Sequence, residues 1–210
     1  MVHMSKNVYV KSIGRSAKSK ASTVSVTLSM LLNVSTNMDL NSQMLNDYFQ
    51  DFYSKGFQIF DGKKYSDQLD VSEIVWQYEG VVNNDYHPSN NIQEVNHVLL
   101  NIHYEISSDI LDKNFARYSR EKRRIWQGVN KDATAWHNDL GEGPSCFFLL
   151  YHSDMIDDGF LHFRNSQDTF QVVPKEGLLV AVNCDIKFQH RADVSKNSRV
   201  TSSYFFNLEY

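Results

Sequence analysis

Two cysteines among 210 residues, Cys146 and Cys184, are too few for a disulfide framework, and both fall in or beside apolar, strand-like segments. Buried free thiols in a reducing, cytoplasmic compartment are the expectation. No run of eighteen apolar residues occurs, so no segment is expected to span a membrane. Positive charge is in slight deficit: the formal net charge of -4 removes the electrostatic case for general nucleic-acid binding. Acid is missing altogether between residues 5 and 38, where Lys6, Lys11, Arg15, Lys18 and Lys20 stand among Ser and Thr. Lacking a clear amphipathic helix, that stretch does not read as a transit peptide. Two strands over 7–13 and 23–32 around a polar turn are expected, with a disordered basic arm as the alternative. Residues 1–4 read as a cloning scar ahead of a start at Met4.

What is present is enough for a sizeable core: 41% of the chain is hydrophobic, and the length suits one domain. Its expected parts are N-terminal strands and supporting helices over 5–114 and a β-rich core over 115–210. Asp39 can cap a helix over 40–55 whose Met44, Leu45, Tyr48, Phe49 and Phe52 share a face, with Gly56 at its stop. A strand over 57–60 and an Asp61-Gly62 turn follow, then a mostly apolar run over 71–82 and a polar loop over 83–91 containing Pro88. Residues 92–111 carry Val95, Val98, Leu99, Ile102, Ile106 and Ile110 at helical spacing. On that helix His97 and His103 lie six apart and face different ways, so they are not a ligand pair. The run over 115–126 holds Arg117, Arg120, Lys122, Arg123 and Arg124 against a single Glu121. It reads as a solvated loop or a strand edge guarded by charge, or as a patch that steers an acidic substrate or nucleic acid.

From Trp136 to Tyr204, short apolar runs alternate with turn residues: 146–151, 160–163, 170–173 and 178–182. Residues i and i+2 of a strand project from one face, so His137 and Asp139 can offer an imidazole and a carboxylate to one point. His190 is the candidate third ligand, and two His with one carboxylate is the facial ligand set of non-haem Fe(II) oxygenases. With eight His and seventeen Asp in the chain, about 0.6 His-x-Asp triplets are expected by chance. A second one, His152-Ser153-Asp154, does occur. Context separates them: four strands fit between His137 and His190, whereas Asp154 runs directly into a turn at 155–159.

His137-Asn138-Asp139, the segment 158–163, the segment 172–180, His190 and Arg199-Val200-Thr201-Ser202, in this order, resemble the core of a 2-oxoglutarate/Fe(II)-dependent dioxygenase of the prolyl-hydroxylase-like branch. The resemblance covers about residues 125–206. It implies a mainly β fold with N-terminal helices, a double-stranded β-helix of the jelly-roll or cupin-like kind with eight core strands. It also implies that His137, Asp139 and His190 bind Fe(II), and that Arg199 and Thr201 hold the distal carboxylate of 2-oxoglutarate. In the family a Tyr often stands about ten residues before the metal His. This chain has Gln127 there, able to donate a hydrogen bond, and Trp126 beside it as a wall. Tyr151 and His152, on opposite faces of one strand, are both candidates for a cosubstrate contact, and His162 poses the same question of facing.

Independently of the resemblance, a remote carboxylate held in a barrel needs its charge neutralised, and an arginine fork does so bidentately. By resemblance the chain is a hydroxylase using Fe(II), 2-oxoglutarate and O2, with ascorbate in support, that converts 2-oxoglutarate to succinate and carbon dioxide while inserting oxygen into a substrate C–H. The substrate is a peptide or protein residue such as proline, or a small molecule; a nucleic-acid base is not favoured. Two other classes remain: a cupin-type Zn or Mn hydrolase or isomerase on the same three ligands, and a non-catalytic jelly-roll binding module.

Overall fold

The computed structural model describes residues 10–12, 49–78, 86–88, 92–128, 133–139, 143–154, 158–195 and 198–209. The strand expected over 23–32, the helix positions Met44, Leu45 and Tyr48, and the Asp39 cap lie outside the described residues. Helix α1 is Gln50–Ser54, preceded by the buried Phe49 and carrying the buried Phe52. Gly56 ends it at φ 88, a left-handed conformation closed to most side chains, and a Cβ there would stand 2.6 Å from the Phe188 ring.

Strand β1 is Val10–Ser12 and β2 is Phe57–Asp61. The Asp61-Gly62 turn leads into a one-turn helix, α2, Lys63–Ser66. β3, Trp76–Tyr78, pairs with β4, Tyr86–Pro88, which lies within the stretch expected to be loop. Helix α3, Ile92–Ile106, continues as a π turn over Ser107–Leu111. Its expected stripe is the buried one: Val95, Leu99, Ile102, Ile106 and Ile110 all face the core.

Seven further strands follow: β5 Arg117–Gly128, β6 Cys146–Tyr151, β7 Leu161–Arg164, β8 Thr169–Val172, β9 Leu178–Asn183, β10 Gln189–Ala192 and β11 Arg199–Glu209. They form two antiparallel sheets of order β2-β9-β6-β11-β5-β4-β3 and β1-β8-β7-β10. β5, β6, β9 and β11 belong to the large sheet and β7, β8 and β10 to the small one, so the chain crosses repeatedly between the sheets in the manner of a double-stranded β-helix. The segment before β6 completes the pattern through one isolated bridge, His137 to His190. Among the described residues the two sheets face each other without hydrogen-bonded closure, as a double-stranded β-helix with open edges. Of the loop and strand alternatives for the basic run, the structure has the strand: β5 begins at Arg117 and pairs along β11 for most of its length.

Layering follows from burial on both faces. Cys146–Tyr151 and Leu178–Asn183 are buried throughout, because one face of the large sheet meets the helices and the other meets the small sheet. Cys146, Phe148, Leu150, Leu179, Ala181, Tyr204 and Phe206 join the helix-side core with α1 and α3. Phe147, Leu149, Tyr151, Val180, Val182 and Phe205 turn the other way, toward Leu161, Phe163, Phe170 and Val172 of the small sheet. Each fully buried Leu, Val or Phe contributes about 1.5–3 kcal/mol. Phe57, stacked on Phe163 with centroids 4.3 Å apart, ties β2 across to the small sheet.

Candidate metal and cosubstrate site

Main-chain pairing brings the two distant histidines together. His137 N–H donates to the His190 carbonyl at 3.1 Å, and His190 N–H donates to the His137 carbonyl at 2.9 Å. Farther along, Thr134 N–H reaches the Ala192 carbonyl at 2.9 Å, and Ala192 N–H donates to Thr134 Oγ1 at 2.8 Å. Trp136 lies outside the small sheet, with Arg164 4.4 Å and Arg191 5.1 Å from its ring, and so pins this segment at the residue before His137.

The rings of His137 and His190 stand 4.4 Å apart, and His190 Nε2 lies 3.5 Å from Asp139 Oδ2. One donor atom from each of the three residues falls within 4.8 Å of the others, a separation that small side-chain rotations bring onto a single transition-metal ion. His137 Nδ1–H donates to the Ala135 carbonyl at 2.8 Å, which leaves Nε2 as the basic, ligating nitrogen. Burial pushes the Asp139 carboxyl up. The His190 hydrogen bond and the charges of His190, His137 and Arg124 outweigh it, and Asp139 lies below its ordinary range.

These three residues open into a cavity of about 320 Å³ between the sheets. Arg199, Ser203 and Phe205 of β11 line it together with Trp126 and Arg124 of β5 and Phe147 and Leu149 of β6. Arg199 is buried at 9% exposure. Thr201, with the same facing on β11, pairs with Tyr151 of β6, and both Thr201 Oγ1 and Tyr151 Oη are buried without a hydrogen-bond partner. Burial holds the Tyr151 phenol up at about 12 against the opposing charge of Arg199. Such orphaned polar atoms cost about 1–3 kcal/mol each, which a bound oxygen-rich ligand would recover. A guanidinium, a hydroxyl and a phenol at one end and a three-donor metal set at the other fit an ion chelated by a small dicarboxylate.

Two expected cosubstrate contacts are corrected by strand phase. Gln127 pairs with Val200 and shares its facing, away from the cavity; Trp126, one residue earlier, points in. His152 also faces the helix side, where its Nε2–H donates to Ser202 Oγ at 2.8 Å and Ser202 Oγ–H donates to the Tyr204 hydroxyl at 2.9 Å. Burial lowers His152 to about 4, so it is a neutral core histidine. Asp154 accepts the Glu176 N–H at 2.9 Å in a turn, so the second His-x-Asp triplet does not converge. His162 faces away from the cavity, buried beside Trp136 and 2.6 Å from Asp193 Oδ2. His103 is buried beside Phe206, with centroids 4.5 Å apart, far from any ligand set.

Arg124 was not among the expected site residues. Its signal was available: counting back by two from Trp126 along an extended β5 reaches Arg124 and then Lys122.

No family model matches the sequence, and no curated protein matches it by sequence. Solved structures do share its fold. One is an oxidoreductase of the 2OG-Fe(II) oxygenase family from Burkholderia pseudomallei, with TM-score 0.61 and 13% identity over 78% of this chain and 89% of that one. A prolyl hydroxylase from Trichoplax adhaerens, in complex with a peptide fragment of the hypoxia inducible factor oxygen degradation domain, gives 0.59 and 13% over 82% and 94%. HygX from Streptomyces hygroscopicus, with nickel, 2-oxoglutarate and hygromycin B bound, gives 0.57 and 10% over 78% and 87%. At these identities the likeness is one of fold.

Proposed function

We propose that the chain is a 2-oxoglutarate- and Fe(II)-dependent dioxygenase that hydroxylates an unactivated C–H bond. The observation that carries this is the pairing of two features in one cavity: a His137, Asp139 and His190 donor set within 4.8 Å and a buried Arg199, with the orphaned Thr201 and Tyr151 hydroxyls on the same faces of β11 and β6. A cupin-type hydrolase needs the first and has no use for the second. HygX, which shares the fold, holds nickel and 2-oxoglutarate, and this chain offers residues suited to both.

In this reading the three ligands hold iron, which with 2-oxoglutarate and O2 supplies the oxidising chemistry, releasing succinate and carbon dioxide. The chain's own residues do the rest. Arg199 pairs with the far carboxylate of 2-oxoglutarate, a bidentate contact strengthened by its apolar surroundings. Thr201 and Tyr151 donate their hydroxyl protons to the same carboxylate. Trp126, Phe147 and Leu149 exclude water from the space between metal and substrate. His137 Nδ1, tied to Ala135, keeps the imidazole tautomer and orientation fixed. The substrate class we favour is a peptide residue such as proline, because a prolyl hydroxylase of this fold is in complex with a peptide fragment.

The test is succinate release by purified protein with Fe(II), 2-oxoglutarate and ascorbate, together with a mass gain of one oxygen in a peptide panel. Both are expected, and Arg199→Ala is expected to lose them. Metal-dependent hydrolysis without consumption of 2-oxoglutarate would replace this reading with the cupin-type one.

A further inference from the structure

The cavity contains a cation that the proposed chemistry leaves unused. Strand β5 divides its basic residues between two sides. Arg123 pairs with Tyr204, whose ring is in the helix-side core, and Arg120 lies on the Tyr104 ring at 4.2 Å. Arg124 instead pairs with Ser203 and enters the cavity that holds His137, Asp139 and His190. Two aromatic faces hold its guanidinium, Trp126 at 5.1 Å and Phe205 at 5.2 Å. Among the described residues it makes no hydrogen bond or ion pair, so its N–H edge is available to a ligand.

Position separates this arginine from Arg199. Arg199 and Ser203 are four residues apart on β11, about 13 Å along a strand, and Arg124 lies at the Ser203 level. His190 sits near the same level, since its ring is 5.7 Å from Phe147, which pairs with Phe205. Arg199 therefore serves the deep end and Arg124 the open end beside the metal ligands. Charge leads to the same division. A ferrous ion with Asp139, and a dicarboxylate with Arg199, together cancel. Arg124, exposed at the mouth, then leaves the filled cavity one positive charge in excess, and a cation at the rim of a pocket attracts an anionic group. Beyond it Lys122 lies 4.9 Å from the Phe205 ring, beside a depression of about 150 Å³ lined also by Glu121, Pro144 and Asn207.

We propose that the substrate carries a carboxylate close to the C–H that is oxidised, and that Arg124 binds this carboxylate at the cavity mouth. The inference rests on the dioxygenase reading and specifies its substrate. The carboxylate is either the α-carboxylate of a free or C-terminal residue or the side chain of an acidic residue within a peptide. Stacking on Trp126 and Phe205 keeps the guanidinium plane fixed, so that a misplaced or neutral group gains little.

The test separates binding from turnover. With zinc in place of iron and 2-oxoglutarate saturating, no reaction proceeds, and calorimetric titration reads the substrate subsite alone. The probes are N-acetylproline against its amide, and a proline peptide with a neighbouring glutamate against the same peptide with glutamine. In one pair or the other, the acid is expected to bind about tenfold or more tightly than its neutral partner. The responding pair identifies the source of the carboxylate. Arg124→Gln is expected to abolish the preference, and Arg120→Gln, on the far side of the same strand, to keep it. Equal binding of acid and neutral probes, binding of neither acid, or a preference that survives in Arg124→Gln would overturn the proposal. Consumption of 2-oxoglutarate by the iron form, followed separately, tells whether the underlying dioxygenase reading stands.

Discussion

Strand β11 has two faces that obey different rules. On the helix side Val200, Ser202, Tyr204 and Phe206 are buried, and the polar pair is closed: Ser202 donates to Tyr204 and accepts from His152. On the cavity side Arg199, Thr201, Ser203 and Phe205 are buried as well, yet Thr201 Oγ1 and the facing Tyr151 Oη have no partner. Burial is the same on both sides; along β11 itself the hydroxyls of the helix side are satisfied and that of Thr201 is not, while the helix side keeps its orphaned atoms on the ring nitrogens of His103 and His152. The orphaned hydroxyls of Thr201 and Tyr151 share their faces with Arg199 and the donor set, so under the proposed function the helix side carries stability and the cavity side carries chemistry.

Substitutions can break that contrast. The largest effects belong to the cavity: His137→Ala or Asp139→Ala is expected to reduce succinate formation to background. Arg199→Ala should lower kcat/KM for 2-oxoglutarate by roughly two to three orders of magnitude. Urea midpoints of these variants should shift by no more than about 1 kcal/mol equivalent. If they unfold the protein, the division of labour between the faces is wrong. On the other face, Phe148→Ala empties a fully buried position and is expected to cost about 3–5 kcal/mol in urea melts.

Acid should also act on the helix side. Burial lowers His103 and His152 from 6.5 to about 4. Below 6.5 the unfolded chain takes up protons that the folded chain refuses, so their contribution is complete above that pH and is lost as pH falls toward 4. The loss amounts to about 3 kcal/mol per histidine by pH 4, and His103→Leu should flatten the profile of stability between pH 7 and 4.5. The smallest effects sharpen the phase of the strands. Tyr151→Phe should raise KM for 2-oxoglutarate by about threefold to tenfold without loss of stability, whereas Gln127→Ala, facing away, should leave that KM unchanged. An equal effect of both would mean that the strand phase has been misassigned.

Much of this was legible in the sequence. β6 to β9 stand within a residue of the apolar runs 146–151, 160–163, 170–173 and 178–182, because turn residues such as Asp158-Gly159 and Pro174 to Gly177 punctuate those runs. The convergence of His137 and His190 also followed from counting the strands between them. Phase was the harder matter. Gln127 and His152 each sit one residue from a cavity-facing neighbour, Trp126 and Tyr151, and the period of two says only that neighbours differ, not which one points inward. The run over 115–126 stayed open between loop and strand edge because Arg117, Arg120, Lys122, Arg123 and Arg124 mask a strand whose pairing with β11 is long-range. His103 gave no local sign of its burial, since a histidine in an apolar stripe reads like any polar interruption.

The central claim, that three ligands and a buried arginine share one iron-bound dicarboxylate, is tested most directly by anaerobic titration of the purified protein with Fe(II) and 2-oxoglutarate, followed by visible charge-transfer absorption. The account requires a band that saturates at one iron and one 2-oxoglutarate per chain, vanishes in His190→Ala and needs far more 2-oxoglutarate in Arg199→Ala. A protein that binds iron with no such band, or whose band is indifferent to Arg199, would contradict it.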